Sequence, residues 1–324
     1  MTGDGDKKKY VIGIDLGGTN IKGALLDFDG HTLEKIRIST DGEKGVSVVI
    51  ERILTVIGDL IKWSSVSKEA IAGIGIGVPG QIDYQEGKII FAPNLGWHNI
   101  YIRDLIAKAT GLPVYLDNDG NVAALGEMWS GAGKGYSDII AVTIGTGIGG
   151  GIIINSRIHR GVSGSAGEIG HMIMQKDGPL CNCGKKGCLE SLTAAPAILR
   201  MAKHAMASGL YTALKDYINL EAKDVFIAAE SGDEIAQDII SQSAEYLGLA
   251  IANLMNILNP EIVIIGGGVA RAGDILLKPI REKAMANSLE VAAKAVKIVP
   301  AHLGNDAGCI GAGALVLMEE EGLL

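Results

Sequence analysis

Y-V-I-G-I-D-L-G-G-T-N-I-K-G-A-L-L-D, residues Tyr10 to Asp27, is the stretch that decides the fold. Tyr10–Leu16 is an apolar, β-branched run, which specifies a strand. Gly17-Gly18-Thr19-Asn20 makes a turn, and Ile21–Asp27 reads as the strand that returns. A glycine-rich loop opening a helix would indicate a P-loop or a dinucleotide fold. Here the loop joins two antiparallel strands, so neither motif applies. Asp29-Gly30 turns into a third strand, Thr32–Ser39. An amphipathic helix follows over about Lys44 to Trp63, with Val46, Val49, Ile50, Ile53, Ile57 and Leu60 on one face.

The pattern then continues and repeats. Ile71–Val78 is a buried strand ending in Pro79-Gly80, and a polar excursion carries P-N-L-G-W at Pro93–Trp97. A helix near Ile100–Thr110, a strand Val114–Leu116, the run Asp117-Asn118-Asp119 and a helix from about Gly120 to Met128 complete the first half. The second half starts with a strand at Ile139–Ile144, the turn Gly145-Thr146-Gly147 and a returning strand, Gly149–Asn155. Beyond an insertion with a helical segment (Ala194–Ala229) come a long helix, Ile235–Leu258, and a strand, Ile262–Ile265, that ends in Gly266-Gly267-Gly268. A helix near Gly273–Asn287, a strand Val296–Pro300 and a helix Ala307–Glu319 close it. Both halves thus read βββαβαβα. The expectation is an α/β chain of two such domains facing across a cleft. Residues 1–117 with 303–324 would form a smaller N-terminal domain, and 118–302 a larger one.

The insertion holds three of the chain's four cysteines. In S-A-G-E-I-G-H-M-I-M-Q-K-D-G-P-L-C-N-C-G-K-K-G-C-L-E-S, Ser165 to Ser191, His171 precedes Cys181, Cys183 and Cys188. Three thiolates and an imidazole are a tetrahedral donor set for Zn²⁺, and Gly184 and Gly187 permit tight turns around an ion. Buried thiols or disulfide partners are the alternative, but Cys181 and Cys183 are too close to bridge comfortably and no secretory signal is evident. Glu168 and Glu190 bracket the set, which a purely structural knuckle would not require. The stretch therefore reads as a metal clip beside a site for a small, hydroxyl-rich ligand.

Composition narrows the class. The chain has 324 residues, 48% of them hydrophobic and 20% charged, which describes a globular protein. A net charge of −8 argues against nucleic acid or an anionic membrane as the main partner. The basic run Lys7-Lys8-Lys9 reads as a solvated end. No apolar run reaches the ~18 residues of a membrane span, and Val11–Ile14 is too short for a signal core. A cytoplasmic location is expected.

The two glycine turns would offer backbone N–H groups to a polyphosphate, with Thr19, Thr143 and Thr146 adding hydroxyls. Asp15, ending its strand beside the first turn, suits Mg²⁺, directly or through water, and Lys22 supplies a cation. Gly266, Gly267 and Gly268 would let an adenine and its ribose lie flat, or else make a tight strand-to-helix connection. Asp119 is the candidate general base, because a helix N-terminus keeps a carboxylate ionised and ready to accept an alcohol proton. Position alone favours a mere N-cap. Asn118 beside it makes the cluster richer than a cap needs.

D-L-G-G-T-N, the G-T-G-x-G-G-G turn, E-I-G-H and C-x-C-G-x-x-G-C-x-E together resemble the ROK family of bacterial sugar kinases and repressors, within the actin-like (ribonuclease H-like) ATPase superfamily. The resemblance covers nearly the whole chain and is nearest to the family's glucokinases. It implies that Asp119 deprotonates a sugar 6-hydroxyl with Asn118 alongside. Glu168, His171 and Glu190 would grip the ring, and Gly80 and Asn94 would close on it. It further implies that Asp15, Gly17, Gly18, Thr19 and Asn20 meet phosphates and Mg²⁺, as do Thr143, Gly145, Thr146 and Gly147. His171 would serve zinc with one ring nitrogen and the sugar with the other.

Two functions follow from the resemblance: an ATP-dependent hexose 6-kinase, most simply of glucose, and a sugar-sensing repressor. A repressor would need a DNA-binding helix pair, whereas nine residues precede the first strand here, so the kinase is expected. N-acetylmannosamine, mannose, fructose and allose kinases use similar residue sets, and Ser163–Gly167 and Pro93–Asn99 would discriminate among them. ATP is expected over polyphosphate because no basic groove is evident. Homodimers are usual in the family.

Overall fold

The opening stretch folds as an antiparallel meander: β1 (Tyr10–Leu16), β2 (Asn20–Asp27) and β3 (Thr32–Ser39), with Asp15 opposite Lys22 across the first turn. The computed structural model describes residues 9–320; Lys7 and Lys8 of the basic run lie outside them. After α1 (Val46–Ser64) comes β4 (Ile71–Val78), which pairs in parallel with β1. The supposed polar excursion is a small antiparallel sheet of β5 (Gln81–Asp83), β6 (Lys88–Ala92) and β7 (Trp97–Ile100). Its strands are too short, and too mixed with charged residues, to show a period of two. α2 (Ile102–Thr110), β8 (Val114–Asn118) and α3 (Asp119–Ser130) complete the first pattern, β8 running two residues beyond the expected end.

The second pattern begins with β9 (Ile139–Ile144), β10 (Ile148–Ile154) and the short β11 (Arg157–Ile158). α4 (Leu189–Thr193), α5 (Ala195–Ala207) and α6 (Ala222–Glu230) occupy the insertion, where one helical segment was expected. The long α7 (Glu234–Leu258) leads to β12 (Ile262–Gly266), α8 (Asp274–Asn287), α9 (Glu290–Ala295), β13 (Lys297–Pro300) and α10 (Ala307–Glu320). The main sheets have strand orders β3-β2-β1-β4-β8 and β11-β10-β9-β12-β13, the same order twice. The duplication read from the sequence is therefore a duplication of topology.

The chain packs as two compact units. The first holds the chain through Ser137, Gly151–Gly167 and the chain from His302; the second holds Asp138–Gly150 and Glu168–Ala301. The sequence pattern places Asn118–Ser137 and Gly151–Gly167 in the second domain. In the structure they group with the first, because α3 packs along α10 and Gly151 lies against Gly120 and Ala124 of α3.

In the first unit, β4 is buried along its whole length, flanked by β1 and β8, which is why it reads as an unbroken apolar run. Val56 of α1 covers one face of this sheet at Gly23. On the other face α10 lies directly on the strands. A methyl group at Gly13 would strike the Cys309 carbonyl, and one at Gly75 the Ala312 carbonyl, so the helix backbone rests on glycine. Glu127 of α3, only 2% exposed, fastens the chain leading into α10. Its carboxylate accepts N–H bonds from His302 at 3.0 Å, Leu303 at 2.8 Å and Ala132 at 2.8 Å.

The second unit has its own core, built from β9, β12 and β13 against α5 to α8. α7 is capped by Asp233. One of its oxygens accepts Ala236 N at 2.8 Å; the other accepts Ala213 N at 2.6 Å and the Thr212 hydroxyl at 2.9 Å. Burial disfavours ionisation of Asp233, but these bonds outweigh it and hold the carboxyl below its ordinary range. Among the described residues no helix is long and apolar enough to cross a membrane.

Candidate active site

Within the first unit the expected residues gather at the carboxyl ends of β1, β4 and β8. The hairpin turn is closed by Gly17 N donating to Asn20 O at 3.0 Å, and Thr40 Oγ1 donates to Gly17 O at 2.6 Å. Gly18 lies against Asn94, where an added Cβ would come 3.2 Å from the Asn94 Cβ. The Asn118 side-chain amide donates to Gly80 O at 3.1 Å. Gly80 itself has φ +114° and backs onto the Phe91 carbonyl, a place no side chain could occupy. Gly80, Asn94, Asn118, Asp119 and the Gly17–Asn20 turn are thus linked on one surface.

Asn118, not Asp119, is the N-cap of α3: its Oδ1 accepts Gly120 N at 2.8 Å. Asp119 occupies the first helical turn with an exposed side chain, and its Oδ1 also accepts Gly120 N at 2.9 Å. A capping role alone is thereby filled by the neighbour. Asp15 and Lys22, offered separately to magnesium and phosphate, form an ion pair at 2.8 Å, and Lys22 also donates to Asn305 O at 3.2 Å. The Asp15 carboxylate rests on Gly308, in the first turn of α10.

The second unit carries the other set. Gly145 N donates to Gly147 O at 2.9 Å, closing the turn between β9 and β10, and Ala195 N donates to Gly145 O at 2.9 Å. Thr143 pairs with Gly266 in the parallel register of β9 and β12, and Gly267 backs onto the Ile144 main chain. Beside this turn opens a cavity of about 670 Å³ bounded by Gly145, Thr146 and Gly268. Ala195, Phe226 and Val269 add apolar lining, and Glu221 and Arg271 add charge. Sequence reasoning missed these last five, because an apolar position facing a cavity has the same spacing as one facing a core, and a charged residue at its rim reads as a solvated one.

His171, Cys181, Cys183 and Cys188 converge so that one ligand atom from each lies within 4.8 Å of the others. Cys183 Sγ is 3.7 Å from Cys188 Sγ, and Cys181 Sγ is 3.8 Å from His171 Nδ1. A tetrahedron with Zn–S bonds of ~2.3 Å has edges of about 3.8 Å, and these two donor pairs stand at that spacing. Local hydrogen bonds build this arrangement: Cys181 N donates to Lys185 O at 2.8 Å, and Gly184 N to Cys181 O at 2.9 Å. No cysteine is in a disulfide. Burial pushes the Cys181 thiol up to about 12, so a metal here would displace a bound proton.

The other ring nitrogen of His171, Nε2, faces Glu168 Oε2 at 3.9 Å. Glu190 joins the cluster to the turn. Its Oε1 lies 3.5 Å from Cys181 Sγ, and its Oε2 accepts Ile148 N at 3.0 Å.

Known proteins place this architecture. The profile of the ROK family matches residues 11–319, and the chain belongs to that family. It is 43% identical to a glucokinase of Halalkalibacterium halodurans, with 97% of each chain covered. It is 34% identical to a xylose repressor of Caldicellulosiruptor bescii, over 95% of this chain and 78% of the repressor. Among solved structures it resembles a ROK family glucokinase from Streptomyces griseus in complex with glucose and AMPPNP, with a TM-score of 0.80 and 33% identity over 94% of this chain and 98% of that one.

Proposed function

We propose that this ROK protein is an ATP-dependent glucokinase that phosphorylates the sugar 6-hydroxyl, with Asp119 as general base. The observation that carries the reading is the pairing of Asn118 as cap with an exposed Asp119 carboxylate in the first turn of α3, tied through Asn118 to Gly80. The glucokinase relative and the glucose-bound and AMPPNP-bound neighbour support it. Asp119 takes the O6 proton as the O6–P bond forms. The bond from the γ-phosphorus to its bridging oxygen breaks, and the electron pair leaves with ADP. Asn118, Glu168, His171 and Glu190 orient the sugar ring, together with Gly80 and Asn94. N–H groups of the Gly17–Asn20 and Gly145–Gly147 turns receive the phosphates, with Thr19, Thr143 and Thr146 adding hydroxyls. The cavity beside Thr146 and Gly268 takes the base.

The fold proposed with this chemistry is actin-like, with the metal-binding stretch inserted in the second unit. Zn²⁺ on His171, Cys181, Cys183 and Cys188 would fix the imidazole plane, leaving Nε2 for a sugar hydroxyl. Mg²⁺ would neutralise phosphate charge near Asp15, whose pairing with Lys22 it would have to displace. A cytoplasmic homodimer fits the same reading.

The test is a panel of hexoses with ATP and Mg²⁺, read as sugar 6-phosphate and ADP. Glucose should give stoichiometric amounts of both. Tight sugar binding with no ADP formed from any hexose would overturn the proposal in favour of a sugar sensor.

A further inference from the structure

Charged side chains inside the first unit converge on one guanidinium. Arg160 follows β11 at the entry to Gly161–Gly167, the segment that runs into Glu168. Its Nε donates to Asp117 Oδ2 at 2.6 Å, and its Nη2 donates to Glu319 Oε1 of α10 at 2.6 Å. The guanidinium also lies over the Tyr84 ring, 4.6 Å from the centroid. The Arg160 side chain is 14% exposed and that of Asp117 only 4%. Arg160, Asp117, Glu319 and Tyr84 are not among the residues assigned above to sugar or nucleotide.

Asp117 divides its two oxygens between two tasks. One oxygen takes Arg160. The other accepts Asn118 N at 2.7 Å and the Asn121 amide at 2.8 Å, both beside Asp119. Arg160 in turn organises the segment it opens: its carbonyl accepts Ala166 N at 3.1 Å. A buried pair of this kind adds little net stability over an apolar replacement. A planar fork that meets two carboxylates and stacks on a ring does fix direction, which a lysine could not.

We propose that Arg160 is a positioning residue for phosphoryl transfer. Through Asp117 it locks the strand end presenting Asn118 and Asp119 to the start of the Gly161–Gly167 segment, so that base and acceptor sugar keep one register. This rests on the sugar-kinase reading above. A displacement of about 1 Å in such an arrangement can cost ~10²-fold in rate without loss of binding.

The experiment compares wild type, Arg160→Met, Arg160→Lys and the double variant Asp117→Asn/Arg160→Met in the full, metal-loaded chain. It measures kcat, KM for glucose and for ATP, the ratio of glucose 6-phosphate to ADP, and Tm. Arg160→Met should lower kcat by about 10–100-fold, leave KM for ATP nearly unchanged, and lower the product ratio as water competes with a misplaced hydroxyl. Arg160→Lys should recover only a small part of kcat. The double variant, which no longer leaves a lone buried carboxylate, should regain Tm while kcat stays low. Recovery of kcat together with Tm in the double variant, or kcat within about threefold of wild type in every folded variant, would overturn the inference. Should Arg160→Met not fold, Arg160→Lys and the double variant decide by the same criteria. A wild type forming no ADP with any hexose would sink the kinase reading and this inference with it; an active wild type with unaffected variants sinks the inference alone.

Discussion

Changing Glu127 to Gln keeps the side-chain volume but removes a charge and an acceptor from a carboxylate on which three backbone N–H groups depend. One oxygen accepts from Ala132 and His302, the other from Leu303 and His302. Whichever way the amide sits, either Ala132 N or Leu303 N must face an –NH₂ group. A buried donor left unsatisfied costs about 1–3 kcal/mol, and the surviving bonds lose their charge assistance. A destabilisation of about 2–4 kcal/mol is expected. In a unit of 150–250 residues each kcal/mol moves Tm by about 2–4 °C, so the transition of the first unit should fall by about 4–16 °C. Differential scanning calorimetry at neutral pH reads this directly. A Tm within about 1 °C of wild type would refute the reasoning, because the three N–H groups would then have other partners or ready access to water.

Asp119→Asn should lower kcat by about 10²–10⁴-fold while calorimetry still detects glucose binding of near wild-type strength; retained turnover would place the base elsewhere. Removing the metal, or changing Cys183→Ser, should weaken glucose affinity and stability together, and a verified metal-free chain with unchanged glucose affinity would detach His171 from both tasks. Asp233→Asn, whose amide can serve the Ala236 N–H or the Ala213 N–H but not both, should cost about 1 kcal/mol at neutral pH. Because the folded carboxyl titrates below its unfolded value of ~4, that contribution is complete above about pH 4 and disappears as pH falls through the folded value. Urea titrations at pH 7 and at successive steps below about pH 4 should therefore show a gap that narrows in acid; a gap independent of pH would contradict the assignment.

Much of the fold was legible because the informative residues act through local rules. The Gly17–Asn20 turn had to be a hairpin once Ile21–Asp27 read as a strand, and Pro79-Gly80 marked the end of β4. The repeated strand order followed from matching turns. The cysteine spacing, with His171 upstream, likewise identified a cluster whose atoms do converge. What stayed hidden depends on contacts distant in sequence. Arg160 meets Asp117 and Glu319 across 43 and 159 positions, and no spacing encodes that. Phe226 and Val269 line a cavity only because α6 and the chain after β12 meet there. The short strands β5 to β7 gain their identity from each other, since none has a pattern strong enough alone.

The glycine seats at Gly13 and Gly75 have a consequence for the order of synthesis. These strands are translated well before the helix that fits them, α10, which starts only at Ala307. That sheet must wait, one apolar face bare, until α10 has been made. Domains that fold as they emerge avoid such a delay. Here a nascent chain halted before Ala307 leaves that apolar face uncovered, a surface prone to aggregation.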